Sequence, residues 1–259
     1  MQVATAVRGT RSCRLQSAAS TRPSLRDVSA PSCSACTLRK FCVSPNFSAD
    51  ISAALDRLVA TRIRLRKGDV LFRAGDQFTG LFAMRMGSCK TVMLTDDGHE
   101  QVVGNHLPGE IMGVEAIAAE THGCQAVALE DSEVCTLPFD RVEALAQLDS
   151  EFQRNLHRMM AKEVGRERRA ALMLGTMRAE QRLSWFLLDL SSRYQARGYS
   201  SSEFVLRMTR EEIGSQLGLK LETVSRLFSR FHAEALIQVR GRIVTLIDRM
   251  ALQQLMTTS

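Results

Sequence analysis

Apolar and polar positions alternate in different ways along this chain, and each way predicts a different kind of element. From about Arg62 to Phe139, short apolar runs are separated by Gly, Asp and Pro, as in Asp69-Val-Leu-Phe, Gly80-Leu-Phe-Ala-Met-Arg-Met, Thr91-Val-Met-Leu, Gln101-Val-Val-Gly and Gln125-Ala-Val-Ala-Leu. Runs of this length read as strands. Asp96-Asp97-Gly98 between two of them reads as a hairpin turn, where glycine supplies the positive φ. Several such strands predict a small antiparallel β-barrel or jelly roll, whose interior either holds a ligand or is filled by side chains.

From Phe139 to Gly198 the spacing becomes helical. Asp149 or Ser150 can cap a long helix in which Phe152, Leu156, Met159, Met160 and Val164 recur every three or four residues. Past Val164 the stripe meets Glu167, Arg168 and Arg169 and resumes at Ala171, Leu172 and Leu174, with Glu163 lying close to it. That pattern suits both a helix lying on its own domain and a subunit interface weakened by charge. A second helix carries Leu183, Phe186, Leu187, Leu190 and Tyr194 on one face and ends by Gly198.

Thr209-Arg210-Glu211-Glu212 is a capping box that starts another helix, through Ile213 and Leu217 to Gly218. A further helix follows from Leu221, with Val224 and Leu227 turned inward against Leu217. Two short helices about a glycine turn predict a helix-turn-helix, whose second member can enter a major groove. Glu222, Ser225 and Arg226 project together from that helix at i, i+3 and i+4. Arg can bond guanine bidentately, Glu can accept from cytosine N4, and Ser can serve a base or a phosphate. A surface pair between Glu222 and Arg226 is the plainer alternative. Arg210, Lys220, Arg226 and Arg230 cluster on the same helices, and two strands about Gly241 form a wing, which favours DNA binding. Thr209, Arg210, Thr223 and Arg230 are candidate phosphate contacts.

Charge sharpens this division. The net charge of +6 separates into 7 basic and 2 acidic groups over residues 1–50, 9 and 15 over 51–150, and 18 and 11 over 151–259. An acidic middle between basic ends is what a nucleic-acid-binding module joined to a different module carries. Hydrophobic residues at 45% and charged residues at 24% exclude wholesale disorder. No apolar stretch approaches a membrane span, so no membrane partner is expected and the protein is expected to be soluble. Residues 1–31 have no apolar periodicity, and their Ser, Ala, Thr and Arg content fits a disordered basic arm as well as an organellar transit segment. The division expected is this arm, a sensor domain over 32–148, a dimerisation helix over 149–175 and a winged helix-turn-helix over 176–259. The fold class is α+β.

Seven cysteines stand at 13, 33, 36, 42, 89, 124 and 135. An odd number cannot all pair within one chain, and no secretory h-region is present, so a reducing cytosol is expected, with metal or redox chemistry. Cys33-x2-Cys36-x5-Cys42 brings three thiols onto one short segment, with Leu38 and Phe41 able to shield them. Such spacing suits zinc or an iron-sulfur cluster, and either needs a fourth ligand. The five His, at 99, 106, 122, 157 and 232, contain no His-x-His pair, which disfavours a cupin-like metalloenzyme.

The order of barrel, long helix and winged helix-turn-helix, with TREEIGSQLGLKLETVSRLFSRF inside it, resembles the CRP/FNR family of bacterial transcription regulators from about Cys33 to the carboxyl end. The ETVSR segment is similar to the FNR branch. The resemblance implies a cytoplasmic homodimer, not an enzyme, that binds palindromic double-stranded DNA with TTGAT-type half-sites, read by Glu222, Ser225 and Arg226, and that works with RNA polymerase. It also implies an oxygen-labile 4Fe-4S cluster on Cys33, Cys36 and Cys42. The fourth ligand comes from a strand matching Glu133-Val-Cys-Thr-Leu-Pro-Phe, hence Cys135, with Cys124 a competitor and Cys13 and Cys89 bystanders. Zinc binding or a thiol switch on the same cysteines is the alternative.

Cyclic-nucleotide binders of the family need an Arg-Ser pair after a Gly-Glu motif. Gly109-Glu110 is present here, but Gly123-Cys124 stands where the pair belongs, so no cyclic nucleotide is expected. In the expected mechanism the intact cluster favours a dimer through Leu156, Met159, Met160 and Val164. Repulsion between Glu163 and Glu167 across the two-fold opposes the dimer once the cluster is lost. In the dimer that the intact cluster favours, the two recognition helices would sit about 34 Å apart.

Overall fold

The computed structural model describes Cys33, Cys36, Leu38, Ala54, residues 56–95 and residues 98–257. Expectations for the arm, for Cys13, Cys42 and Phe41, and for Asp96 and Asp97 lie outside these residues.

Among the described residues, eight strands come first: β1 (Arg62–Leu65), β2 (Val70–Phe72), β3 (Gly80–Met86), β4 (Cys89–Leu94), β5 (Glu100–His106), β6 (Ile111–Met112), β7 (Gln125–Ala128) and β8 (Ser132–Pro138). They make two antiparallel four-stranded sheets, ordered β1-β8-β3-β6 and β2-β7-β4-β5, as the run spacing predicts. Gly98, at φ +83°, lies in the β4–β5 hairpin, where Gly98 N donates to Thr95 O. Side chains alternate across each strand, and the first sheet thereby separates two cores. Val134 and Met84 turn into the barrel and pack with Phe72, Cys89, Met112, Cys124 and Ala126. Their neighbours Cys135, Leu137, Leu81 and Ala83 turn outward and are covered by Leu58, Val59, Val142, Leu145 and Phe152. Each fully buried apolar side chain contributes about 1.5–3 kcal/mol.

The outward core is closed by α1 (Phe139–Leu148) and the first half of α2 (Ser150–Thr176). Asp149 caps α2, its carboxylate accepting from Phe152 N. Then come α3 (Ala179–Ala196), β9 (Glu203–Val205), α4 (Arg210–Leu217), α5 (Leu221–Ala233), β10 (Ile237–Arg240), β11 (Ile243–Leu246) and α6 (Arg249–Thr257). The last three strands form one sheet, ordered β10-β11-β9, with Gly241 at φ +61° in the wing turn. The Thr209 capping box is formed at both ends, and Gly218 closes α4 in the left-handed conformation. Gly214 sets how closely the two helices approach, because a Cβ there would stand 2.6 Å from Leu219 O. Leu217, Val224, Leu227, Phe228 and Phe231 join Leu183, Phe186 and Leu187 of α3 in a third core. Among the described residues no helix is long and apolar enough to cross a membrane.

Candidate cysteine site and nucleic-acid interface

Cys33 and Cys135 pack against the same outward core, and Cys36 N donates to Cys33 O at 3.1 Å. Burial pushes the Cys33 thiol up to about 12, and the neighbouring Cys135, Asp56 and Cys36 add to the rise. Burial also raises Cys135; Arg62 opposes the rise and Cys36 adds to it. Three of the four expected ligands are thus close enough to feel one another's charge, at the seam between the amino-terminal segment and β8. Cys42 lies outside the described residues. Among the described residues no three His, Cys, Asp or Glu side chains form a metal-holding group by themselves. The donor chemistry nonetheless fits a thiolate-bound metal or cluster: soft sulfur ligands converge on an apolar shelf, beside an arginine.

Cys124 and Cys89 are separated from this site by the sheet itself. Both are buried inside the barrel, where burial pushes each thiol up to about 12. Cys124 Sγ lies 3.6 Å from Glu115 Oε1, which also bonds His122 Nδ1 at 3.1 Å. His122 stacks on Phe72 with centroids 3.9 Å apart. Side chains therefore occupy the interior beside Gly123-Cys124.

Glu110, of the Gly-Glu motif, is buried among arginines from two helices. Arg193 Nη2 meets Glu110 Oε2 at 2.6 Å, Arg197 Nη2 meets Oε1 at 2.6 Å, and Arg166 Nη1 reaches Oε2 at 3.5 Å. Burial alone would raise this carboxyl, but the three guanidiniums hold it well below the usual carboxylate range. Arg193 also donates to Asn105 Oδ1 at 2.6 Å and Asn105 O at 2.7 Å. Next to it, burial pushes His106 down to about 4. This cluster joins the barrel to α2 and α3. A second junction joins the barrel to α4. Lys90 on β4 pairs with Glu212 at 2.7 Å, and Ser215 Oγ accepts from Val102 N at 2.8 Å and donates to Glu100 O at 3.2 Å. The sequence pattern marks Glu110 and Glu212 but not their partners, which lie 83 and 122 residues away.

On α5, Glu222, Ser225 and Arg226 are all exposed, on the face opposite buried Val224, Leu227, Phe228 and Phe231. Among the described residues no ion pair joins Glu222 to Arg226. Thr223 is half-buried and Thr209 is committed to its capping box. The Arg210 guanidinium sits 3.1 Å from the centroid of the Phe228 ring, and burial pulls its pKa down to about 10. Arg230 is engaged by Glu234 at 2.8 Å and Glu180 at 3.1 Å.

The six residues expected on one dimer face of α2 divide between two faces. Leu156 and Met159 pack against their own domain's outward core. Glu163 also turns inward, 3.6 Å from Arg166, and burial raises its carboxyl. Met160 is half-exposed, and Val164 and Glu167 are exposed, as is Leu172 beyond them. Glu163 is therefore part of the Arg166–Glu110 cluster, a different place from the repulsive pair expected with Glu167. The helical period allows both faces, and only the packing partners separate them.

Residues 62–149 match the cyclic nucleotide-binding domain family, and residues 181–255 match the Crp-like helix-turn-helix domain family. The chain is 46% identical over 223 residues to the transcriptional regulatory protein Btr of Bordetella pertussis, covering 86% of this chain and 92% of that protein. It is 37% identical over 227 residues to the anaerobic regulatory protein of Haemophilus influenzae, covering 88% of each. Among solved structures, FixK2 from Bradyrhizobium japonicum superposes with a TM-score of 0.72 at 30% identity, covering 78% of this chain and all of that one.

Proposed function

Because the chain belongs to the CRP/FNR family, within its FNR branch, it is a DNA-binding transcription regulator and not an enzyme, and we propose that it responds to oxygen through a 4Fe-4S cluster on Cys33, Cys36, Cys42 and Cys135. The observation that carries this reading is that Cys33 and Cys135 pack against the same outward core as Leu156 and Met159 of α2, a core that includes Phe152. Ligands at the seam between the amino-terminal segment and β8 share one core with the helix that leads to the DNA-binding domain. The relative named an anaerobic regulatory protein supports the same reading. When bound, the cluster supplies the oxygen-sensitive chemistry.

The chain's own residues do the rest. Cys33 and Cys36 tie their segment to Cys135 at the outward core against which Leu156 and Met159 also pack. That shared core sets how α2 presents Met160 and Val164 to a second copy, where exposed Glu167 opposes the approach. The dimer places two α5 helices in successive major grooves. Glu222, Ser225 and Arg226 read TTGAT-type half-sites, with Thr209, Arg210, Thr223 and Arg230 near the phosphates, and RNA polymerase is the partner on the promoter. No cyclic nucleotide is assigned, because Glu110 is engaged by arginines of the same chain and Cys124 supplies no cation to meet a phosphate. A cytoplasmic location follows from this role. The test is binding to a TTGAT palindrome together with sedimentation, before and after exposure to air. Dimeric, tightly bound protein that turns monomeric and weakly bound in air is expected; equal binding and equal mass in both states overturn the proposal.

A further inference from the structure

Arg62 on β1 stands directly opposite Cys135 on β8, so the two side chains leave the same face of the sheet with Cβ atoms about 5 Å apart. Glu133, two residues before Cys135 on that strand, shares the face. Its Oε1 lies 3.5 Å from Arg62 Nε and 3.1 Å from Arg85 Nη1. One buried carboxylate thus faces two guanidiniums beside the cysteines, and Asp56 also lies near Cys33. The Nε atoms of Arg62 and Arg85 are both buried without a hydrogen-bond partner, Arg62 Nε coming only within 3.5 Å of Glu133 Oε1. A simple structural ion pair would satisfy its donors and need one arginine. A buried donor left open on the residue opposite Cys135 fits an acceptor sulfur that becomes anionic in the loaded site.

We propose that Arg62 is a positioning residue of the cysteine site: held by Glu133, its guanidinium donates to the Cys135 sulfur and balances the negative charge of the thiolate ligands. This rests on the reading of Cys33, Cys36, Cys42 and Cys135 as cluster ligands. Hydrogen bonds to ligand sulfur and local charge set the potential and persistence of thiolate-bound clusters. Lys would keep the charge of Arg62 but not its forked donor geometry.

The experiment loads wild-type protein, Arg62→Gln, Arg62→Lys and the control Cys89→Ala with iron and sulfide under anaerobic conditions. Iron-to-sulfide ratio, resonance Raman Fe–S(Cys) stretching, midpoint potential and cluster half-life in air are then read, with circular dichroism reporting folding. Arg62→Gln is expected to shift the Fe–S(Cys) bands, lower the potential and shorten the half-life about tenfold, in the range that outer ligand partners show. Arg62→Lys should recover the potential in part while the shifted bands remain, and it carries the test if the Gln variant does not fold. Wild-type bands and half-life in both variants overturn the role of Arg62 while leaving the cluster intact. Wild-type protein that takes up no iron and sulfide overturns the cluster and the role of Arg62 together.

Discussion

Arg226 is exposed on α5 without an ion-pair partner among the described residues, whereas Arg230 on the same helix is engaged by Glu180 and Glu234. The two should behave differently when removed. Arg226→Ala is expected to cost about 1–3 kcal/mol of discrimination for the guanine-bearing half-site, measured by competition among single-base variants of the palindrome. A loss equal for every sequence would mean that Arg226 meets phosphate instead. At this scale the sequence is most readable where spacing is local: Glu222, Ser225 and Arg226 sit one helical turn apart, and Cys33 and Cys36 share a segment. Arg62, Arg193 and Arg197 were not readable as partners, because their contacts are made by strand pairing and domain packing across 73 to 87 residues. Periodicity carries no information about them.

Among the elements, the strands, the capped helices and the wing follow from local pattern, since turn residues and caps act within a few positions. The long helix shows where that information stops. Its apolar stripe is wide enough to serve two faces, and only the packing of Leu156 and Met159 against the outward core assigns them inward and leaves Val164 outward. The helix-turn-helix has a narrower tolerance. The Cβ of Gly214→Ala would press on the backbone oxygen of Leu219, so α4 and α5 must separate. The expected cost is about 1–3 kcal/mol of stability, typical of overpacking, with weaker DNA binding, read by urea unfolding and titration of the palindrome. Unchanged stability and affinity would show that the turn can relax without moving the recognition helix.

For the whole molecule, the barrel and the DNA-binding half are joined by the Glu110 cluster and by the Lys90–Glu212 and Ser215 contacts. Glu110→Gln leaves buried guanidiniums without their counter-charge and is expected to destabilise the protein by about 3–5 kcal/mol. The pH dependence has a definite sign. The folded carboxyl is held below its ordinary value of 4.5, so its contribution is complete above that pH and is lost as pH falls below it toward the folded value. Urea midpoints across that window should drop more steeply for the wild type than for Glu110→Gln; parallel profiles would remove Glu110 from the junction.

The acidic stretch 51–150 contains the residues 62–149 that match the cyclic nucleotide-binding domain family, and the basic stretch 151–259 contains the residues 181–255 that match the helix-turn-helix family. Cys135 packs against the outward core that α1 and the first half of α2 close, and the proposed signal would enter there. The most direct measurement is iron, acid-labile sulfide and visible absorbance of anaerobically purified protein, with Cys135→Ala and Cys89→Ala alongside. The account predicts iron and sulfide with a broad absorbance that bleaches in air, retained by Cys89→Ala and absent from Cys135→Ala. Stoichiometric zinc without sulfide, or a cluster that survives the loss of Cys135, would contradict it.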